Sequence, residues 1–266
     1  MVSAEVREHG HEARVNARAD GLVPALTLLA RALSPGVPPR GPRGHAVLPK
    51  ELLDEFAAME GSRDARSGSD GGRSASEDEE PLPGLAVLRP GAGGREPRPG
   101  AGPAPLDWNA SLAWLRLGMS ERLRDDCIAY LAARQVEGVS LLMQQMVKGA
   151  LADVLIEHLE IEGVLDDLAD GAAADDTPLG PRLPVDEHTL TRIQAQITRT
   201  DRALLRLLGA HGFTSAGPGT AAHASELLAD VYCGPRPGTS YETDRTGDTG
   251  DTSHTEHTGH TAKGAV

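Results

Sequence analysis

Between residues 106 and 234 the apolar side chains return every third or fourth position in four successive stretches. That spacing places them on one stripe of an α-helix, because 3.6 residues complete a turn. The first stretch carries Leu112, Leu115, Met119, Leu123, Cys127, Tyr130 and Leu131. It predicts a helix from about Trp108 to Arg134, with Asp107 or Asn109 as N-cap and Gly138 as its end. The second predicts a helix over 140–169 through Leu142, Met146, Leu151, Leu155, His158, Ile161, Leu165 and Leu168. The third starts near Asp186, which can cap it, and carries Leu190, Ile193, Ile197, Leu204 and Leu207 as far as Gly209, a natural C-cap position. The fourth covers about 219–232. One-sided helices with mostly short connections bury their stripes against one another. The expected fold class is therefore all-α, an up-down four-helix bundle over 106–237.

Composition agrees with helices. Aromatic residues are only 3% of the chain, with Phe56 and Phe213 the sole phenylalanines. Ala, Leu and Val must fill the core, and close helix packing suits them better than a β-sandwich does. Outside the bundle, residues 1–20 are polar and expected to be disordered. Residues 21–59 hold two short helices, "GLVPALTLLARALS" and "LPKELLDEFAAME", separated by prolines that forbid a continuous helix. Residues 60–105 are rich in Gly, Ser, Pro, Arg and Glu and read as a long flexible linker, with "LPGLAVLRPG" as a strand remnant. Residues 238–266 are Thr-, Gly-, Asp- and His-rich and read as a disordered tail.

A net charge of −13 argues against a nucleic-acid partner, which needs a basic patch. No apolar run approaches the roughly 20 residues of a membrane helix, so no membrane partner is expected. The N-terminus has no apolar core of a secretory signal, and two cysteines make no disulfide framework, so a cytoplasmic location is expected. His158, His188, His211 and His223 occur singly and read as surface or core histidines rather than metal ligands. His254, His257 and His260 recur in the tail without any supporting shell, and no metal site is expected.

One segment carries a more specific signal. The first helix runs into "YLAARQVEGVSLLMQQMVKGALADVL", with Tyr130, Arg134, Gly138, Leu141, Gln145, Leu151, Ala152 and Asp153 in a fixed order. Later comes "LLRLLGAHGFTSAGPG", with Leu208, Gly209, Gly212, Phe213 and Pro218, and then Tyr232-Cys233-Gly234. In these three motifs, over about 106–237, the chain resembles the C-terminal helical domain of the acyl-CoA dehydrogenase family. The resemblance implies an oxidoreductase fold that holds flavin adenine dinucleotide (FAD) at a subunit interface. Arg134 would meet the pyrophosphate and Gln145 would add a hydrogen bond. Gly209 and Gly212 would let the loop approach a neighbouring subunit's flavin, with Arg206 standing at the family's flavin-loop glutamine.

The departures from the family pattern bear on catalysis. Cys233 stands at the position of the glutamate that removes the substrate's α-proton, and Trp108 at the alternative position for that base. Ala210, Glu137, Pro235 and Pro237 also differ from the family's residues. No catalytic residue is therefore assigned. Two readings follow. One is a degenerate flavoprotein acting as a non-catalytic subunit, in a homo-oligomer or in a hetero-oligomer with a complete acyl-CoA dehydrogenase subunit. The other is a structural helical oligomerisation or protein-binding module that has lost the flavin.

Overall fold

The computed structural model describes residues 4–56, 83–89, 106–170, 187–214 and 217–234. Among them the protein is mostly helical, as the apolar periodicity predicts. The central element is α4 (Leu106–Ala133), followed by α5 (Gln145–Asp170), α6 (Glu187–Leu208) and α7 (Gly219–Cys233). The early part of α4 packs with Ile161 and Leu165 and its later part with Val154, so α5 runs antiparallel to it. Arg116 meets Gln194 and Thr198 while Cys127 meets the Leu204 carbonyl, so α6 runs parallel to α4. Trp108 meets Tyr232 and Leu123 packs in one cluster with Ala222, so α7 is antiparallel again. The four helices thus alternate up and down.

The N-terminal third differs from its reading. Residues 1–20 were expected to be disordered, yet Ala4–Ala19 form α1, packed along α4. Its buried positions are Gly10, Ala13 and Ala17, a stripe of small residues at helical spacing. Small side chains contribute little hydrophobicity but let two backbones come close. A Cβ on Gly118 of α4 would lie 2.2 Å from the Arg14 carbonyl oxygen, and one on Gly10 would lie 2.4 Å from the Trp114 ring. Arg14 then fastens the contact. It donates to Glu121 on α4 (2.7 and 3.0 Å) and to Glu162 on α5 (2.6 and 3.0 Å).

Residues 21–59 are not a separate unit either. Helix α2 (Leu22–Leu33), strand β1 (Ala46–Pro49) and a helical segment α3 (residues 50–56) share one apolar cluster with α1, α4 and α7. The expected strand remnant is β2 (Leu85–Leu88), which pairs antiparallel with β1, Val47 opposite Val87. Tyr232 on α7 locks this unit in place: its hydroxyl donates to the Val47 carbonyl (2.9 Å) and accepts from the Val47 amide (3.2 Å). Covered by α1 and α2 as well as by its bundle partners, α4 is buried all round from Trp108 to Glu121, which is why no single apolar stripe describes it. The remaining residues of the expected linker and the whole of the expected tail lie outside the described residues.

Between α4 and α5 the chain reverses through a two-residue ladder, β3 (Gln135–Val136) with β4 (Val139–Ser140). Glu137 (φ 51°) and Gly138 (φ 80°) form its turn, so Gly138 serves the hairpin rather than ending the helix. Ser140 Oγ accepts from the Leu142 amide and donates to the last carbonyls of α4, at Leu131 and Ala132.

Candidate functional site

The residues singled out by resemblance do not gather at one place. Arg134 follows the C-terminal end of α4, exposed, with its guanidinium 4.4 Å from the Tyr130 ring centroid. His211 also stacks on Tyr130, its ring centroid 4.1 Å away and the two rings nearly parallel. The loop Gly209–Phe213 is a 3-10 turn beside this stack, entered through Gly209 at φ 55°, a left-handed value that favours glycine. Gly212 is buried, where a Cβ would press on Leu205 and Leu208. Arg134, Ala210 and His211 line one cleft of about 500 Å³. Gln145 is exposed at the start of α5, outside that lining. Arg206 is exposed and donates to its own helix at the Arg202 carbonyl (3.1 Å).

Cys233 is at the other end of the molecule. Its neighbour Tyr232 packs on Trp108 at the start of α4, and 26 residues of α-helical rise put that end about 40 Å from Arg134. Burial pushes its thiol up to about 12, with Arg116 only partly opposing, so it is held as an uncharged thiol against the N-terminal core. Trp108 is likewise a core residue, fully covered.

Sequence reasoning missed the buried polar groups at the centre of the bundle. Arg116 is 0% exposed, yet all three of its nitrogens have partners. Nε donates to Ser225 Oγ (3.0 Å), Nη2 to Thr198 Oγ1 (2.9 Å), and Nη1 to both the carbonyl and the side-chain oxygen of Gln194. A charge taken out of water needs this degree of satisfaction. Its counter-charge is Asp201 on α6, 4% exposed.

Beside that pair runs a directional chain of donors. A guanidinium can only donate, so Arg124 Nη1 fixes His158 Nδ1 as acceptor (3.2 Å). The ring hydrogen then sits on Nε2 and points to Ser120 Oγ (2.8 Å), and the Ser120 hydroxyl in turn favours the ionised form of the Asp201 carboxyl. The Ser120–His158 contact has the length of a nucleophile–base pair, but its chemistry is different. Burial and the adjacent Arg124 push His158 down to about 4, and Ser120 is fully covered, so the pair conducts a hydrogen bond rather than activating a nucleophile. The reading of His158 as a core histidine agrees with its 2% exposure.

The two titrating members act in opposite senses. Burial raises Asp201 to about 7, against the hydrogen bond from Ser120 and the charge of Arg116. Between its ordinary value near 4 and about 7 the folded state holds the extra proton, so this group's contribution to stability declines as pH rises through that window. His158 is depressed, so between about 6.5 and 4 the unfolded state binds the extra proton, and stability declines as pH falls. Asp201→Asn is expected to leave a stability that is flat above about pH 6.5 and drops below it. His158→Gln is expected to leave one that drops from pH 4 to 7. Urea midpoints measured across this range check both, and parallel curves for the two variants would refute the assignment.

A second cleft, about 610 Å³, lies on the far side of the Tyr130–His211 stack and shares Tyr130, Leu208 and His211 with the first. Its lining includes Met119, Leu123, Pro218 and the buried Asp201. Along the outer side of α5, by contrast, apolar groups face outward: Met146, Leu155, Ile156 and Leu159 are exposed, with Gly149 and Ala152 between them. Among the described residues no three His, Cys, Asp or Glu side chains converge as a metal site, and no helix is long and apolar enough to cross a membrane. No protein-family model, curated protein or solved structure matches the chain.

Proposed function

We propose that this chain is a non-catalytic helical assembly module that pairs with a second copy of itself through the outer face of α5. The observation that carries the reading is the pattern on that face. Gln145, Gly149, Ala152, Ile156, Leu159 and Gly163 repeat at four- and three-residue steps, are all exposed, and leave the space above Gly149 and Gly163 open. Such a stripe is the seam of a helix pair. In an antiparallel pair centred on Val154, Gly149 faces Leu159, Ala152 faces Ile156 and Gln145 faces Gly163, small against large at each layer. On one flank Leu155, exposed, meets its own mate and extends the apolar contact. A parallel pair would set each seam residue against itself and lose this small-against-large fit. The full chain is expected to run as a dimer in light scattering coupled to gel filtration, and Ile156→Glu to run as a monomer with unchanged helical circular dichroism. A wild-type monomer at tens of micromolar, or a dimer indifferent to that substitution, would refute the pairing.

A second reading rests on Arg134, exposed over Tyr130 beside the Gly209–Phe213 turn. A fixed guanidinium next to a glycine-entered loop suits a phosphate group. In this reading the chain is a degenerate acyl-CoA dehydrogenase-like subunit whose Arg134 and loop contact FAD held mainly by a complete partner subunit. FAD bound there would supply hydride acceptance. This chain's residues would only position it, since Cys233 lies at the far end and stays protonated. Flavin absorption that co-purifies with the chain, alone or mixed with a complete acyl-CoA dehydrogenase subunit, supports this reading; colourless protein under both conditions removes it.

A further inference from the structure

The cleft beside the Tyr130–His211 stack has an unfilled polar requirement. Asp201 lines it, is 4% exposed, and has an Oδ1 with no hydrogen-bond partner among the described residues. A buried carboxyl oxygen without a donor is destabilising, a penalty that a ligand's donor removes. The rest of the cleft is largely apolar, with Leu22, Met119, Leu123, Leu208 and Pro218 along it. Its one guanidinium, on Arg122, donates to the Ala19 carbonyl (2.8 Å), while Asp126 stands exposed on the lining. Arg122 and Asp126 balance in charge, so the acceptor left to meet a ligand is the Asp201 carboxyl.

We propose that this cleft binds a small organic ammonium, its apolar body along Met119, Leu123 and Leu208 and its N–H donors on Asp201. An ammonium meets two needs at once, a donor for Oδ1 and a positive charge that favours the ionised carboxylate. A neutral alcohol meets only the first, and a carboxylate meets neither. A metal ion is not the fit, because among the described residues no three His, Cys, Asp or Glu side chains converge there.

The site also predicts its own pH dependence. The groups facing Asp201 are Arg116 and Ser120 on α4 and Glu226 on α7, with Asp126, Arg122 and His211 elsewhere on the cleft wall. Asp201 ionises at about 7, whereas an alkylammonium keeps its charge throughout, so binding strengthens as pH rises and is about tenfold tighter at pH 8 than at pH 6.

The test is a calorimetric titration of the full chain with n-hexylammonium chloride, n-hexanol and sodium hexanoate at pH 6 and 8. Saturable binding of the ammonium, at least tenfold tighter than the alcohol and absent for the carboxylate, is expected at pH 8. Asp201→Asn is expected to lose tenfold or more. Ala129→Trp, which fills the cleft from an exposed lining position, is expected to abolish binding without touching the core, and serves if the Asn variant does not fold. No saturable binding at pH 8, equal binding of hexanol, no weakening at pH 6, or full binding by either folded variant would overturn the proposal.

Discussion

Replacing Gly118 by valine is expected to detach α1 from α4 and to cost about 3 kcal/mol or more, at the upper end of what overpacking a core does. The obstacle is backbone, not a side chain that can turn away: a Cβ at 118 would stand 2.2 Å from the Arg14 carbonyl oxygen and 2.9 Å from its Cα. Separation of the helices exposes Ala13 and Ala17 and uncovers the Trp114 ring. It also parts Arg14 from Glu121 and Glu162. Two readouts identify the event. The urea midpoint falls, and trypsin cuts at Arg14 and Arg18 under native conditions. A variant with the wild-type midpoint and a protected N-terminus would show that α1 does not depend on this crossing.

Arg116→Ala is expected to cost 3–5 kcal/mol, the usual range for removing one member of a buried ion pair. The loss has three parts: a cavity in the middle of α4, four hydrogen bonds to Ser225, Thr198 and Gln194, and a carboxyl at Asp201 left without its cation. The third part is separable. Adding Asp201→Asn to Arg116→Ala removes the uncompensated acid, so the double variant is expected to be more stable at pH 8 than Arg116→Ala alone. A double-mutant cycle by urea unfolding measures this coupling. Strict additivity would show that Arg116 and Asp201 do not sense one another.

Much of the bundle was legible because helix periodicity is a local signal. The predicted helix over Trp108–Arg134 and the observed Leu106–Ala133 differ by two residues at one end and one at the other, and the helices expected near 186–209 and 219–232 differ by about one. The loop glycines were legible for the same reason: Gly209 closes α6 in a left-handed conformation at the position its place after Leu208 suggests. By contrast, α1 was not legible, because its buried stripe is Gly10, Ala13 and Ala17. Those residues register as weakly hydrophobic, and their contribution is the closeness they permit to a partner more than 90 residues away. Likewise the proline-rich break after α2 looks like a boundary in composition, while Tyr232 and Val47 tie its two sides to the same core.

The candidate sites divide along the same line. Arg134, Gln145, Arg206, Gly209, Gly212 and Cys233 could be named from order and spacing alone, since a motif is a property of the chain. Whether they meet is a property of packing, and only Arg134 and the loop after Gly209 come to one cleft, with Cys233 at the opposite end of α4. The charged centre of the molecule was hidden for a further reason. Arginine and aspartate are usually solvated, so nothing in the local sequence marks Arg116 and Asp201 as buried, whereas His158 already falls on an apolar stripe. By itself the sequence determined helix positions, turn glycines and the all-α class, because these depend on neighbours within a few residues. Only the tertiary structure decided that a polar N-terminal segment belongs to the core and that a buried acid faces a cleft. Both follow from contacts between distant helices, whose energies no local window contains.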